Sequence, residues 1–123
     1  SFPRYARRFV ANGADFLTIQ ANDGWLGTSA GPFQHFAQAK LRAIENRRNI
    51  VRSANTGVSA IINYRGEIED SIEYGEEGFI NKNVGLIEEK TFYVNYGDYI
   101  FRISLFFFII IGLHFLATIV KIK

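Results

Sequence analysis

The run from Ile103 to Val120, ISLFFFIIIGLHFLATIV, is 18 residues without a formal charge at neutral pH. As a helix it reaches about 27 Å, close to the thickness of a hydrocarbon core. A helix apolar on every side either crosses a membrane or fills the centre of a large soluble domain. The chain has 123 residues, too few to wrap such a helix, so the run is read as a transmembrane helix over residues 99–120. The long stem of Arg102 carries its guanidinium to the headgroups, and Tyr96 and Tyr99 supply interfacial aromatics. His114 sits mid-span. An ionisable group there is a functional suspect, but with no carboxylate nearby in sequence it reads as a helix-contact residue. Lys121 and Lys123 follow at once, which predicts a cytoplasmic tail over 121–123 and a globular part, residues 1–98, on the opposite side. Arg102 opposes that orientation and is partly offset by Asp98.

Composition narrows what the globular part can do. A hydrophobic content of 48% argues against disorder. There is no cysteine, and His35 and His114 are the only imidazoles, so a disulfide framework, a thiolate nucleophile and a zinc site are all excluded from this chain; no cofactor or metal is expected. Residues 1–65 hold nine Arg or Lys against three acids, whereas residues 66–98 hold two against nine. No basic stripe is interleaved with aromatics and the acidic block repels phosphates, so nucleic acid is not an expected partner. The chain begins at Ser1 and contains no methionine, which reads as an internal piece of a longer polypeptide, and such a piece would show no signal peptide.

Residues 2–12 place Phe2, Tyr5, Ala6, Phe9 and Val10 at helical spacing, with Pro3 in the first turn and Gly13 as a cap. DFLTIQ, residues 15–20, reads as a buried strand, and residues 21–31, ANDGWLGTSAG, as a loop carrying one Trp. Pro32 starts a helix to about Arg48 whose apolar face is Phe33, Phe36, Ala37, Leu41 and Ile44, with Lys40, Arg47 and Arg48 elsewhere. Strands are expected over 50–55 and 58–64, then a turn at Arg65 and Gly66. EIEDSI continues as a strand with Glu67, Glu69 and Ser71 outward and Ile68, Asp70 and Ile72 on the other face, and residues 79–87 form one more extended segment. This order predicts an α/β layered domain with an open sheet edge.

Asn22, Asp23, Gly24, Trp25, Leu26 and Gly27, followed by Ser29, Gly31, Pro32, Gln34 and His35, resemble the NDAWFGxSxGPxQH signature of bacterial apolipoprotein N-acyltransferases, membrane members of the nitrilase (carbon-nitrogen hydrolase) superfamily. Arg42, Ala43 and Glu45 resemble that family's RAxE helix, RSANTG at residues 52–57 its R-A/S-x-N-x-G strand and turn, and Gly97 with Asp98 the G-D/N before its last membrane helix. Gly24, Leu26 and Ala21 depart from the family's usual Ala, Phe and Thr or Ser. The resemblance implies the C-terminal part of a nitrilase-like αββα sandwich followed by one transmembrane helix. It also implies a Glu-Lys-Cys triad upstream of Ser1, with C-Y/F-E directly before that residue. The cysteine would take an acyl chain from a phospholipid as a thioester and pass it to the amine of a diacylglyceryl-modified apolipoprotein. The implied setting is a bacterial cytoplasmic membrane, with the globular part on the periplasmic or outer side, the parent a monomer, and this chain alone inactive.

No catalytic residue is expected within the chain. Asn22, Asp23, Trp25 and His35 are the candidate substrate-entrance residues, and Arg42, Glu45, Asn55 and Thr56 the supporting ones. Trp25 is either an arm over an acyl entrance or a side chain pinning its loop to the core. Asn22 and Asp23 are read as holding the loop by bonds to its backbone. His35, an imidazole without an orienting carboxylate, is read as a polar helix start rather than an active-site wall. Arg42 and Glu45 are spaced to pair along one flank, as a solvated bridge or a buried brace. Asn55 and Thr56 with Gly57 form a strand end able to reach positive φ. Two other readings stand beside the acyltransferase: a membrane-tethered nitrilase-like amidase, and a non-enzymatic anchored binding module.

Overall fold

In a computed structural model, residues 3–122 are described; Ser1, Phe2 and Lys123, which enter the expectations above, lie outside them, as do the side chains of Val120, Lys121 and Ile122. The elements run α1 (Pro3–Ala11), β1 (Leu17–Asn22), a 3₁₀ turn (Gly24–Leu26), α2 (Gly31–Asn46), β2 (Ile50–Asn55), β3 (Ser59–Ile62), β4 (Ile68–Ile72), α3 (Phe92–Tyr96) and α4 (Tyr99–Ile122). One four-stranded sheet has the order β1-β2-β3-β4. β1 and β2 are parallel, Leu17 opposite Ile50 through Asn22 opposite Asn55, and α2 makes the crossover that a parallel pair requires. The β2-β3 and β3-β4 pairs are antiparallel. β1 forms one edge of the sheet, as the open-edge expectation required.

The core lies between the sheet and a layer of three helices: Val10 of α1, Phe36, Ala39 and Ala43 of α2, Val94 of α3, and Leu17, Ile50, Ala60 and Ile62 of the strands pack as one cluster. Helix ends follow from local chemistry. Gly13, at φ +100°, lets its amide reach Val10 O at 3.0 Å and the Ala14 amide reach Phe9 O at 3.0 Å, closing α1. α2 ends the same way on Arg47, a non-glycine residue at φ 51°. The next residue supplies the anchor: buried Arg48 donates to the carbonyls of Ala14, Arg47, Glu88 and Glu89 at 2.6–3.1 Å, tying α2 to the chain before β1 and to the irregular segment after β4. Its burial pushes its pKa downward, against the pull of Asp15.

Several expectations change. The buried stripe of α2 is Pro32, Phe36, Ala39, Arg42, Ala43 and Asn46, so Phe33, Leu41 and Ile44 face outward and Arg48 is buried, not peripheral. The stripe's polar members are only partly satisfied: Asn46 donates to Arg42 O at 2.9 Å and Arg42 Nη2 pairs with Glu45, while Arg42 Nε and Nη1 and Asn46 Oδ1 are buried without a partner among the described residues. β1 begins at Leu17 and alternates as an edge strand, with Thr18 and Gln20 exposed, rather than lying buried. On α1, Tyr5 and Phe9 are exposed, leaving Val10 as the buried anchor. In β4 the expected alternation fails: Ile68 is exposed and Ser71 half-buried, and a register irregularity at Ile61/Ile62 sets Ile68 opposite Ile62 and Ser71 opposite Ala60, on one face of the strand. Residues 79–87 run without a sheet partner. The turn after β3 is where expected, with Asn63 Oδ1 accepting the Arg65 and Glu67 amides at 2.9 and 3.0 Å. α3 was not foreseen; Thr91 caps it by accepting the Val94 amide at 3.1 Å.

α4 is long and apolar enough to cross a membrane by length and composition, over Tyr99–Ile119 at mean hydropathy 2.3, and none of that stretch is buried. It is therefore not a core helix of this chain.

Candidate functional site

Ligand sites in sheets of this kind gather at the carboxyl ends of parallel strands, where loops leave the layer together. Here β1 ends at Asn22 and β2 at Asn55, directly opposite each other, and the ladder goes one residue further through the Asp23 amide to Asn55 O at 3.2 Å. That last bond places Asp23 between the sheet and α2. Its side chain is 1% exposed, and both carboxylate oxygens are engaged: Oδ2 accepts from Arg52 Nη2 at 2.6 Å and Oδ1 from His35 Nδ1 at 2.7 Å.

Arg52 reaches this point because residue parity puts it on the same face of β2 as Ile50, under α2. Its guanidinium also donates from Nε to Val58 O at 3.1 Å and lies 5.8 Å from the centre of the Phe36 ring. A buried guanidinium and a buried carboxylate are each very costly alone, and together they are held only by such close, charge-assisted contact. The carboxylate accepts, so the hydrogen of this contact is on His35 Nδ1. His35 is one-third exposed, 33% by side chain, and Nε2 has no partner among the described residues. An oriented imidazole of this kind can hold or pass a proton at Nε2.

The neighbouring turn is built around the same carboxylate. Thr56 stands at φ 67°, strained for a β-branched residue, and Gly57 follows so closely packed that a Cβ there would fall inside the Asp23 carboxylate. Asn22 Oδ1 accepts the Gly24 amide at 3.3 Å, and the Leu26 amide bonds to Asp23 O at 3.0 Å. Beyond the 3₁₀ turn, Ser29 Oγ donates to Leu26 O at 2.8 Å and Tyr74 Oη to Gly27 O at 3.0 Å. Trp25 is at the apex of this tied segment, 80% exposed. It does not pin the loop to the core. The backbone is fastened on both sides of it, so the freedom that remains is mostly the indole's own.

Asn22, Asp23, His35, Asn55 and Thr56 thus meet at one end of the parallel pair, and Trp25 lies exposed in the 3₁₀ turn that leaves it. Asp23 binds two side chains rather than its own loop backbone, and His35 has the orienting carboxylate that its sequence neighbourhood lacks. Arg42 and Glu45 are elsewhere. Seven residues, about 10 Å, separate Arg42 from His35 along α2. Arg42 Nη2 meets Glu45 Oε1 at 3.1 Å in a largely buried brace, and Glu45 O accepts from Thr91, fastening α2 to α3. Burial raises the Glu45 pKa, with Arg42 pulling the other way. Arg52, which enters the sequence reading only as the first residue of RSANTG, is the site residue to which that reading gives no role. The available signal was a lone arginine inside the apolar strand IVRSAN, since a charge buried in a strand requires a partner.

Comparison with known proteins agrees with the fold. The family model for carbon-nitrogen hydrolases matches residues 1–86. An apolipoprotein N-acyltransferase from Geobacter metallireducens is 41% identical over 97 residues, 79% of this chain and 19% of that protein. The protein of the same name from Chlorobaculum tepidum is 40% identical over 104 residues, 85% of this chain and 20% of its own length. The one from Wigglesworthia glossinidia brevipalpis is 37% identical over 117 residues, or 95% of this chain and 22% of that protein. The chain spans about a fifth of the length of these curated relatives.

Gly57→Ala is expected to destabilise the protein by about 1–3 kcal/mol, because the new methyl must displace a buried, ion-paired carboxylate. Denaturant unfolding of the variant measures this. An unchanged midpoint would mean that Asp23 does not lie against the Gly57 backbone.

Proposed function

The chain belongs to the carbon-nitrogen hydrolase family, and from that premise we propose that it is the carboxyl-terminal part of a membrane-bound N-acyltransferase acting on apolipoproteins. The observation that carries the reading is the loop from Asn22 to Gly31, in which an exposed Trp25 stands two residues beyond a buried Asp23 that pairs with Arg52 at the carboxyl ends of β1 and β2. Relatives named apolipoprotein N-acyltransferase support an N-acyltransferase type of carbon-nitrogen hydrolase.

In the proposed reaction a cysteine thiolate attacks the ester carbonyl of a phospholipid acyl chain. A thioester forms, and the displaced oxygen takes a proton from the protonated base, so that the lysophospholipid leaves as an alcohol. The α-amine of a diacylglyceryl-modified apolipoprotein then attacks the thioester, an amide forms, the amine's proton passes to a base, and the thiolate returns. The nucleophile and its Glu and Lys partners are assigned to the protein outside these 123 residues, since the chain has no cysteine. Residues 1–98 contribute one wall of the domain and the indole over the acyl entrance, residues 99–120 the membrane anchor, and residues 121–123 a cytoplasmic tail. An indole suits the entrance because its body accepts acyl chains while its N–H stays at the wet boundary. The enzyme is placed in a bacterial cytoplasmic membrane as a monomer, with the globular part on the periplasmic or outer side. This chain by itself is assigned no activity.

Trp25→Ala in the full-length protein is expected to cut acyl transfer about tenfold or more while leaving the melting temperature nearly unchanged; a core Trp would instead cost about 3–5 kcal/mol. Normal turnover in a protein that melts early would remove the entrance role. Orientation is checked separately. A cysteine replacing Asp70 should react with a membrane-impermeant thiol reagent in cells with a permeabilised outer membrane, and one added after Lys123 should not; the reverse pattern overturns the topology.

A further inference from the structure

We propose that the hollow between α1, α3 and the first turn of α4 binds the phosphodiester of an anionic glycerophospholipid and so seats the globular part on the bilayer surface. The inference rests on reading α4 as a membrane span, and it concerns a place well apart in sequence from the Asp23 cluster.

The hollow has a volume of about 750 Å³ and is lined by four guanidiniums, those of Arg4, Arg7, Arg8 and Arg102, against one carboxylate, Asp98. Two of these five groups are already committed. Arg7 donates to the carbonyls of Tyr93 and Val94 at 3.0 Å and of Asn95 at 3.2 Å, closing the end of α3, and Asp98 Oδ1 accepts the Phe101 amide at 3.1 Å. Arg4, Arg8 and Arg102 are exposed and make no hydrogen bond or ion pair among the described residues. Three uncommitted cations therefore share one concavity, an arrangement that an anion relieves.

Chemistry and position both select a lipid phosphate. Arg4 and Arg8 are one helical turn apart, about 6 Å, and the guanidinium fork matches phosphate oxygens with paired donors. Arg102 lies in the first turn of the apolar stretch Tyr99–Ile119, so a spanning α4 sets the hollow at headgroup depth. Beside the basic row of α1 runs an aromatic one, Tyr5 and Phe9, 61% and 63% exposed. Basic and aromatic rows side by side are the pattern of a helix lying in a membrane interface.

The test uses the full-length protein purified in detergent, given equal amounts of phosphatidylglycerol and phosphatidylcholine, with retained lipid read by native mass spectrometry. Phosphatidylglycerol is expected to be retained preferentially. Arg4→Gln/Arg8→Gln should lower its retention about tenfold or more at an unchanged melting temperature, whereas Arg4→Lys/Arg8→Lys should keep most of it. If the double Gln variant does not accumulate, Arg102→Gln is read in the same assay with the same expectation. Equal retention by wild type and Gln variant overturns the proposal. So does displacement of the lipid by excess inorganic phosphate, which would make the hollow a site for free anions. An alkaline wash of the membranes separates the two readings. A protein released by the wash overturns the span and this proposal with it; one that stays but retains lipid regardless of Arg4 and Arg8 overturns the headgroup site alone.

Discussion

The contact between the Asp23 carboxylate and the Arg52 guanidinium, 2.6 Å long and almost wholly out of water, is the interaction on which the carboxyl end of the parallel pair depends. Neither ion is tolerable there without the other. Because each is held by backbone that belongs to a different element, the pair does more than cancel two charges. It fixes the exit of β1 relative to β2, through Val58 it ties β3 to the same point, and through the second carboxylate oxygen it sets the ring of His35 on α2. The strained Thr56 and the bare backbone of Gly57 are consequences: the chain must turn tightly where the carboxylate already occupies the space.

That rigidity explains how a side chain as large as Trp25 is presented outward from so small a loop. The 3₁₀ turn carrying it springs from Asp23 on one side and is tied to Tyr74 on the other, so the indole is displayed on fixed backbone instead of on a floppy segment. The opposite part of the molecule works by a different principle. There α1, α3 and α4 meet around arginines, and a single one of them, Arg7, is used to close a helix end. A domain with a buried, charge-neutral brace at one site and uncompensated cations at the root of an apolar helix has separated a precise task from an electrostatic one.

How much of this was legible in the sequence varied with the range of the interaction. The apolar run from Ile103 declared α4, because composition alone decides a helix with no polar face. Pro32 and the glycines marked α2 and the Trp25 loop, since those residues act on their own backbone. The rotation of α2 is not visible in hydrophobicity: Phe33, Leu41 and Ile44 look like a buried row, but Arg42 and Asn46 bury with Ala39 and Ala43, each with one polar contact on or beside its own helix turn and the rest of its polar atoms unpartnered among the described residues. The short α3 has too few residues to show a period. The Asp23 cluster was out of reach for a further reason. His35 is 12 residues from Asp23 and Arg52 is 29, distances that only the parallel pairing of β1 with β2 and the crossover of α2 bring together. The motif residues were visible; their partnership was not.

A double-mutant cycle on the pair tests the central claim most directly, with unfolding free energies measured for Asp23→Ala, Arg52→Ala and the combined variant. Each single replacement leaves a buried charge unanswered and is expected to cost about 3–5 kcal/mol, while the second replacement made on top of the first should cost little more, or even recover stability. Costs that simply add would mean that the two side chains stabilise the fold independently, and Asp23 would then not be the residue that holds the carboxyl ends of the parallel strands together.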